Sequence, residues 1–215
     1  MDEFYQVFLD ELGPQIKKTV PSAGQIEQYQ GALPDVLLEY WRVYGWGGFY
    51  KGLFWITNPE EFSLAVTSWL DHVEISPDAK YFVIARTAFG QLFLWEQRSG
   101  QTITISPHYS QVFTSSPDPD VVSGNGDFTF KCFLSGQVAS SLDFDDDKDK
   151  PLFERAVKKL GILEADEMYS FEPALALGGR AKLDNLVKVK MVEQLILLEQ
   201  IGEVEVMHMD VSGHI

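Results

Sequence analysis

The sequence predicts an α+β fold, in which an antiparallel β-meander with flanking helices is followed by a smaller, mainly helical C-terminal part. Three runs rich in β-branched and aromatic residues lie close together, at 81–86, 92–97 and 102–106. Short breaks that contain glycine separate them, as expected of hairpin loops between antiparallel strands. On both sides of this region apolar residues recur at helical spacing instead. The change of period predicts helices around a central sheet.

Three helices are predicted before the meander. Residues 2–12 carry apolar side chains at helical spacing and end at a Gly-Pro pair. A second helix is expected over 34–44, because Pro34 suits a first turn and Gly45 suits a C-cap. The third begins at Asn58, which can cap the helix N-terminus ahead of one buried stripe. That stripe consists of Phe62, Ala65, Val66, Trp69 and Leu70.

Beyond the meander, the polar segment 115–126 is rich in proline and glycine and marks the predicted domain boundary. We expect an α+β domain over residues 1–115 and a C-terminal domain over 116–215. A boundary near residue 143 is an alternative, and so is a single core shared by the two parts. The elements predicted in this region are a strand at 128–134 and helices at 151–160 and about 189–201.

The composition indicates a globular cytoplasmic protein. The 215 residues are 45% apolar and 23% charged. No apolar run approaches the ~20 residues that a membrane helix needs, and the N-terminus lacks the pattern of a signal peptide. The single cysteine, Cys132, fits a reducing compartment. Because Cys132 lies in the strand predicted at 128–134, we expect it to be a small core residue.

The net charge of −15 narrows the class of partner. A chain this acidic repels phosphate backbones, so we expect no direct nucleic-acid binding. The same field attracts basic proteins and accelerates their encounter with the chain. A basic protein is therefore the favoured partner.

The sequence offers no catalytic set, and we expect no cofactor. It lacks a nucleophile elbow of the G-x-S-x-G type, and its glycine-rich stretches lack the spacing of a phosphate-binding loop. No two of the four histidines lie three or four residues apart, which gives a zinc site no local support. We therefore expect a binding protein rather than an enzyme. Two alternatives remain open: a metal-dependent hydrolase and a small-ligand-binding module.

One acidic segment resembles a calcium-binding loop. Residues 143–154 read DFDDDKDKPLFE, which puts acids at positions 1, 3, 5, 7 and 12 of an EF-hand-like pattern. Lys148 replaces the glycine that the sharp turn requires, and Pro151 predicts a helix start inside the loop. We therefore assign no metal site. The simpler interpretation is an acidic cap at a helix N-terminus.

The stretch YGWGGFYKGLFW, residues 44–55, places six aromatic side chains and four glycines in twelve positions. Stacking on nucleic acid would need interleaved basic residues, and only Arg42 and Lys51 lie nearby. We expect an extended segment whose rings form part of the core. The glycines would then let the backbone turn and approach its neighbours closely.

Two motifs point to a known family. The run LPDVLLEYWRVYGWGGFYKGLFWITNPEEF (33–62) resembles the GAD-like domain of bacterial proteins found beside toxin genes. PLFERAVKKLGILEADEMYSFEPALALGG (151–179) resembles the C-terminal domain that accompanies it, and the resemblance covers about residues 5–200. It implies a cytoplasmic, acidic, non-enzymatic immunity protein of a type VI secretion DNase effector. Such a protein binds its cognate nuclease toxin and blocks the active site.

Residues that match the two motifs are expected to define the fold rather than the interface, with Glu172 as the exception. The first motif matches at Trp41, Gly45, Trp46, Gly47, Gly48, Gly52, Leu53, Phe54 and Trp55. The second matches at Phe171, Glu172, Pro173, Ala174, Leu175, Leu177, Gly178 and Gly179.

The densest acid of the sequence is the predicted partner-binding surface. It flanks the predicted helix 151–160 at both ends, and the basic surface with which a nuclease holds DNA phosphates would complement it. The alternative interpretation is an ordinary solvated acidic surface. The candidate residues are Asp143, Asp145, Asp146, Asp147, Asp149, Glu164, Asp166 and Glu167.

Overall fold

The computed structural model describes residues 2–209, and an eight-stranded sheet forms its centre. The strands of this sheet, from one edge to the other, are β1 (Ile16–Thr19), β2 (Trp46–Phe49), β3 (Phe54–Ile56), β4 (Tyr81–Thr87), β5 (Leu92–Glu96), β6 (Gly100–Ser106), β7 (Gln111–Ser115) and β10 (Glu205–Met209). Two further strands, β8 (Glu167–Phe171) and β9 (Leu186–Lys190), form a separate antiparallel pair.

The antiparallel meander predicted from the sequence is confirmed. Each strand from β1 to β7 pairs antiparallel with the next, and Leu94 of β5 lies between Val83 of β4 and Ile103 of β6. Only the pairing of β10 with β7 is parallel. The last strand of the described chain therefore returns to extend the sheet that the first half builds.

Helices cover both faces of the sheet. Those of the described residues are α1 (Glu3–Leu12), α2 (Ala23–Glu27), α3 (Asp35–Tyr44), α4 (Ser63–Leu70), α5 (Pro119–Val122), α6 (Gly126–Ser135), α7 (Ala139–Leu142), α8 (Phe153–Leu160) and α9 (Met191–Ile201). Successive residues of a strand point to opposite faces. Ile84 packs in one hydrophobic cluster with α1, α3 and α6, whereas Val83 packs in a second cluster with α4 and α9.

The helix ends at α3 and at Asn58 follow the predicted capping signals, and α1 has a further cap that was not predicted. The carboxylate of Asp2 accepts a hydrogen bond from the Tyr5 backbone N–H at 2.9 Å and caps α1. Pro34 precedes α3, and Gly45, with a φ of 72°, ends it. Asn58 caps its helix as predicted, although the first turn, Pro59–Phe62, is a 3₁₀ helix that leads into α4.

The aromatic run 44–55 is core, as the sequence predicts. The side chains of Phe49, Phe54 and Trp55 are almost fully buried. A Cβ built on Gly48 would lie 3.0 Å from the indole ring of Trp55, so this glycine makes room for the tryptophan on the paired strand. The indole N–H of Trp55 donates to the carbonyl oxygen of Gly52 at 2.7 Å.

The strand predicted at 128–134 is wrong, because this segment lies within α6. Phe130 and Leu134, four residues apart, are buried on one side of the helix, where they join the cluster that contains α1. Alternating Phe residues produced the strand pattern, but Phe128 is 51% exposed. The predicted core position of Cys132 is also wrong, because the helix leaves it exposed.

The two other helices predicted in the C-terminal half are present with shifted bounds, whereas the strands β8, β9 and β10 were not predicted. The polar segment 115–126 contains the short helix α5, which is capped by Asp118. The helix predicted at 151–160 begins at Phe153, and the last helix begins at Met191 because Val189 and Lys190 belong to β9. One hydrophobic cluster includes residues from both sides of the segment 115–126.

Candidate partner-binding surface

The acidic segment that begins at Asp143 is folded back against α8. One carboxylate oxygen of Asp143 accepts hydrogen bonds from the backbone N–H groups of Phe144, Leu152 and Phe153, at 2.6, 3.2 and 2.8 Å. Burial raises the pKa of Asp143, and the three N–H donors oppose that rise. This side chain caps the N-terminus of α8, which agrees with the simpler of the two interpretations of the segment.

Replacing Asp143 with alanine is expected to lower the free energy of unfolding by about 2 kcal/mol, because the backbone N–H groups of Phe144 and Phe153 lose their acceptor. The N–H of Leu152 keeps a second acceptor, the carbonyl oxygen of Phe144. Asp145→Ala is the matched control, since the Asp145 side chain is exposed and should change stability by less than about 0.5 kcal/mol. Urea unfolding followed by circular dichroism measures both. Equal effects of the two substitutions would contradict the capping role.

Two further acids of this segment are paired with cations of the C-terminal part. Asp146 bonds to the Arg155 guanidinium at 2.6 Å, and this contact lowers the pKa of Asp146. Asp147 bonds to Arg180 at 2.6 Å and lies 3.8 Å from Lys182. Within residues 2–209, Asp145 and Asp149 form no ion pair. These two carboxylates are therefore the ones whose charge is least neutralised.

The acids at the other end of α8 are also paired. Their partners are Lys17 for Glu164, Lys190 for Asp166 and Lys188 for Glu167. The backbone N–H of Glu164 and the ammonium of Lys188 lower the pKa of Glu167. Five of the eight predicted acids are thus paired with a basic side chain, so the field of the two groups is weaker than the count of carboxylates predicts.

The carboxylates of the calcium-like pattern turn towards separate partners. Asp143 faces the start of α8, Asp147 faces Arg180, and Glu154 pairs with Lys51 at 2.9 Å. Within the part of the chain that the structure describes, no group of three or more His, Cys, Asp or Glu side chains is placed to hold a metal ion.

Arg86 fixes the position of the second group of acids. Its side chain is 1% exposed, and its guanidinium lies 4.5 Å from the ring centre of Trp55. It donates to the carbonyl oxygen of Ala165 at 2.7 Å and to that of Thr87 at 3.2 Å. The central sheet thereby holds the segment that carries Glu164 and Asp166. Nothing in the sequence around Arg86 distinguishes it from an exposed arginine.

His108 is a second buried polar residue that sequence reasoning missed. Its ring Nε2 lies 3.2 Å from the carbonyl oxygen of Tyr169, which can only accept, so Nε2 carries the proton. Burial lowers the pKa of His108 to about 4, and the ring is neutral at neutral pH. An adjoining cavity of about 140 Å³ is also lined by Ser141 and Asp143. This volume has room for a few water molecules.

His108 is expected to make folding sensitive to acid. Its pKa in the folded state lies below the ordinary value of about 6.5, so the unfolded chain takes up the proton first as the pH falls. Stability is therefore lost as the pH falls from about 6.5 towards 4, by about 1 kcal/mol between pH 7.5 and 5.5. Urea unfolding at these two pH values measures this loss of stability. In the His108→Gln variant the loss should be smaller by about 1 kcal/mol. Identical losses in both proteins would contradict the buried neutral ring.

The two family motifs differ in burial. Trp41, Trp46 and Leu53 of the first motif are buried in the core, as expected of residues that define the fold. In the second motif Phe171 is buried, but Leu177 is 65% exposed. The second motif therefore supplies an exposed turn as well as a core position. No helix within residues 2–209 has the length and apolar character needed to cross a membrane.

Comparison with known families identifies both halves of this architecture. The model of the GAD-like domain matches residues 3–109, and the model described as "T6SS immunity protein Tdi1, C-terminal" matches residues 127–202. The chain therefore has the domain architecture of a type VI secretion immunity protein. It belongs to the family that joins a GAD-like domain to the Tdi1 C-terminal domain, as its two motifs predicted.

A solved structure has the same fold. The chain resembles the crystal structure of Atu4351 from Agrobacterium tumefaciens with a TM-score of 0.84 and 22% sequence identity. The likeness covers 97% of this chain and 93% of that chain. It confirms the predicted α+β fold. A comparison with curated proteins found no match to this sequence.

Proposed function

We propose that this protein is the cytoplasmic inhibitor of a basic nuclease toxin, which it binds so that the toxin's active site is covered. The observation that carries the proposal is the match of residues 127–202 to the C-terminal domain of an immunity protein. The net charge of −15 supports a basic partner. A DNase meets its substrate in the cytoplasm, which is where such an inhibitor has to act.

The charge of the two molecules gives this binding its physical basis. A nuclease presents cations to DNA phosphates, and an acidic protein is attracted to the same cations. Long-range attraction raises the association rate, and salt weakens it. A protein seated on that surface excludes DNA without transforming any substrate. The match of residues 127–202 to an immunity-protein domain favours a chain that catalyses no reaction, which agrees with this mode of action.

The eight acids predicted from the sequence are one candidate contact for the toxin. Asp145 and Asp149 have the most charge to offer, because the ion pairs described above leave them out. The five acids that are paired within the chain would have to leave their basic partner before they could bind a basic side chain of the toxin. That exchange reduces the net gain from each contact.

Co-expression with the nuclease toxin encoded beside its gene tests the proposal. Cells that carry both genes should grow, and the purified proteins should form a complex by gel filtration. Added in increasing amounts, the protein should abolish DNA cleavage at a fixed molar ratio to the toxin. The association rate should fall as salt is raised from about 50 to about 300 mM. No rescue and no complex would overturn the proposal.

A further inference from the structure

Acids without a basic partner also lie outside the predicted patch. Residues 143–190 carry eleven acidic and nine basic side chains, so the charge of this segment is nearly balanced. The segment 2–12, by contrast, contains four acids and no basic residue. Of those four, only Asp2 forms an ion pair within residues 2–209, with Lys131 at 3.1 Å. Glu3, Asp10 and Glu11 are exposed on α1.

Exposed apolar side chains lie among these carboxylates. Val7 of α1 is 52% exposed, and Phe128 of α6 is 51% exposed. The rings of Phe128 and Phe4 meet edge to face, with centroids 6.0 Å apart, which joins the apolar parts of the two helices. Large apolar side chains that stay exposed next to each other are typical of binding surfaces.

The first half of α3 extends the same surface. The Tyr40 hydroxyl donates to the Asp2 carboxylate at 2.6 Å, and the Asp127 carboxylate accepts from the Val36 backbone N–H at 3.0 Å. These bonds tie α3 to α1 and to α6. Asp35 and Glu39 are exposed on α3. The result is a face of three packed helices that carries exposed acids and exposed apolar side chains.

We propose that this face docks the basic surface of the nuclease toxin, an inference that rests on the function proposed above. We call it the helical acidic face, and its principal residues are Glu3, Val7, Asp10, Glu39, Phe128 and Cys132. Charge complementarity selects a basic partner. A second copy of this chain would place like charges opposite one another, which is repulsive.

The helical acidic face suits a toxin better than the 143–167 acids for two physical reasons. Glu3, Asp10 and Glu39 form no ion pair within residues 2–209, whereas five of the eight predicted acids would have to give up a basic partner before they meet one of the toxin. The face also supplies apolar anchors, and interfaces draw most of their binding energy from a few central side chains surrounded by a polar rim. Phe128 is the anchor; it contacts Phe4, which follows Glu3 in α1, while Asp10 and Glu39 are exposed on the two helices that pack against α6.

Cys132 provides a test in the unmodified protein. It is the single cysteine of the sequence and is exposed one helical turn after Phe128. Alkylation of Cys132 by iodoacetamide, followed by mass spectrometry, should slow about tenfold or more when the purified toxin is bound. A complex that forms and leaves the alkylation rate unchanged would overturn the docking surface, while the proposed inhibition of the nuclease would stand.

Matched variants separate the two acidic surfaces. Glu3→Gln with Asp10→Lys changes the net charge as much as Asp145→Lys with Asp149→Asn does. The first pair should weaken toxin binding about tenfold or more, mainly by slowing association, and Phe128→Ala should weaken it about tenfold by faster dissociation. The second pair should stay within about threefold of the unmodified protein. Circular dichroism and thermal unfolding check that each variant is folded.

The reverse pattern would overturn the inference and assign the contact to the 143–167 acids. A failure of the proposed function looks different, because the unmodified protein would then neither bind the toxin nor stop DNA cleavage. That outcome would remove the function and the docking surface together.

Discussion

Replacing Trp41 with alanine is expected to lower the free energy of unfolding by about 3–5 kcal/mol, the largest effect of any substitution considered for this protein. The Trp41 side chain is 0% exposed. Its ring meets Tyr29 edge to face at 5.5 Å and Trp46 at 5.6 Å, so its removal leaves a cavity between α3 and the aromatic run. Such edge-to-face contacts add to the area that the ring buries.

Urea unfolding at neutral pH measures this loss. Val43→Ala is the control, because Val43 belongs to the same helix but is 54% exposed, and its effect should be below about 0.5 kcal/mol. A loss below about 2 kcal/mol for Trp41→Ala would mean that the surroundings collapse into the space. The core role assigned to the first motif would then be wrong at this position.

Gly45→Ala is expected to cost about 3 kcal/mol or more, because two penalties combine at this residue. Its φ of 72° lies in the left-handed region, where a side chain is strained. A Cβ there would also meet the carbonyl oxygen of Thr19 on the neighbouring strand β1. The strand would have to move away from β2, which would weaken the edge of the sheet.

Gly13→Ala separates the two penalties. Gly13 ends α1 with the same φ of 72°, but a Cβ at this position would have nothing within 4 Å. It should therefore show the backbone strain alone, about 1 kcal/mol. The difference between the two variants measures the close approach of β1. If both glycines gave the same loss in thermal or urea unfolding, the close approach would carry no cost.

These core variants and the surface variants should fail in different ways. Trp41→Ala and Gly45→Ala should reduce protection against the toxin by lowering the amount of folded protein, with the affinity of the folded fraction unchanged. Glu3→Gln with Asp10→Lys should leave the unfolding transition near that of the unmodified protein while the affinity falls. Measuring stability and affinity on the same preparations distinguishes the two.

Local signals determined much of the fold. The meander follows from β-rich runs separated by short glycine-containing breaks, and α3 follows from Pro34 and Gly45 at its two ends. Each of these patterns involves only a few neighbouring residues, so it can be recognised in the sequence without the tertiary structure. The segment 128–134 shows the limit. Phe128 and Phe130 alternate as in a strand, whereas Phe130 and Leu134 have helical spacing, and in the structure this helix packs against α1.

The sequence alone determined the acidic charge, the aromatic core and the two motifs by which the family was identified. Only the tertiary structure decided which charges remain free. It placed Lys188 beside Glu167 and Arg180 beside Asp147, and it left the carboxylates of α1 exposed. The physical reason is that net charge is a sum over residues, whereas the field at a surface depends on distances between residues far apart in the chain.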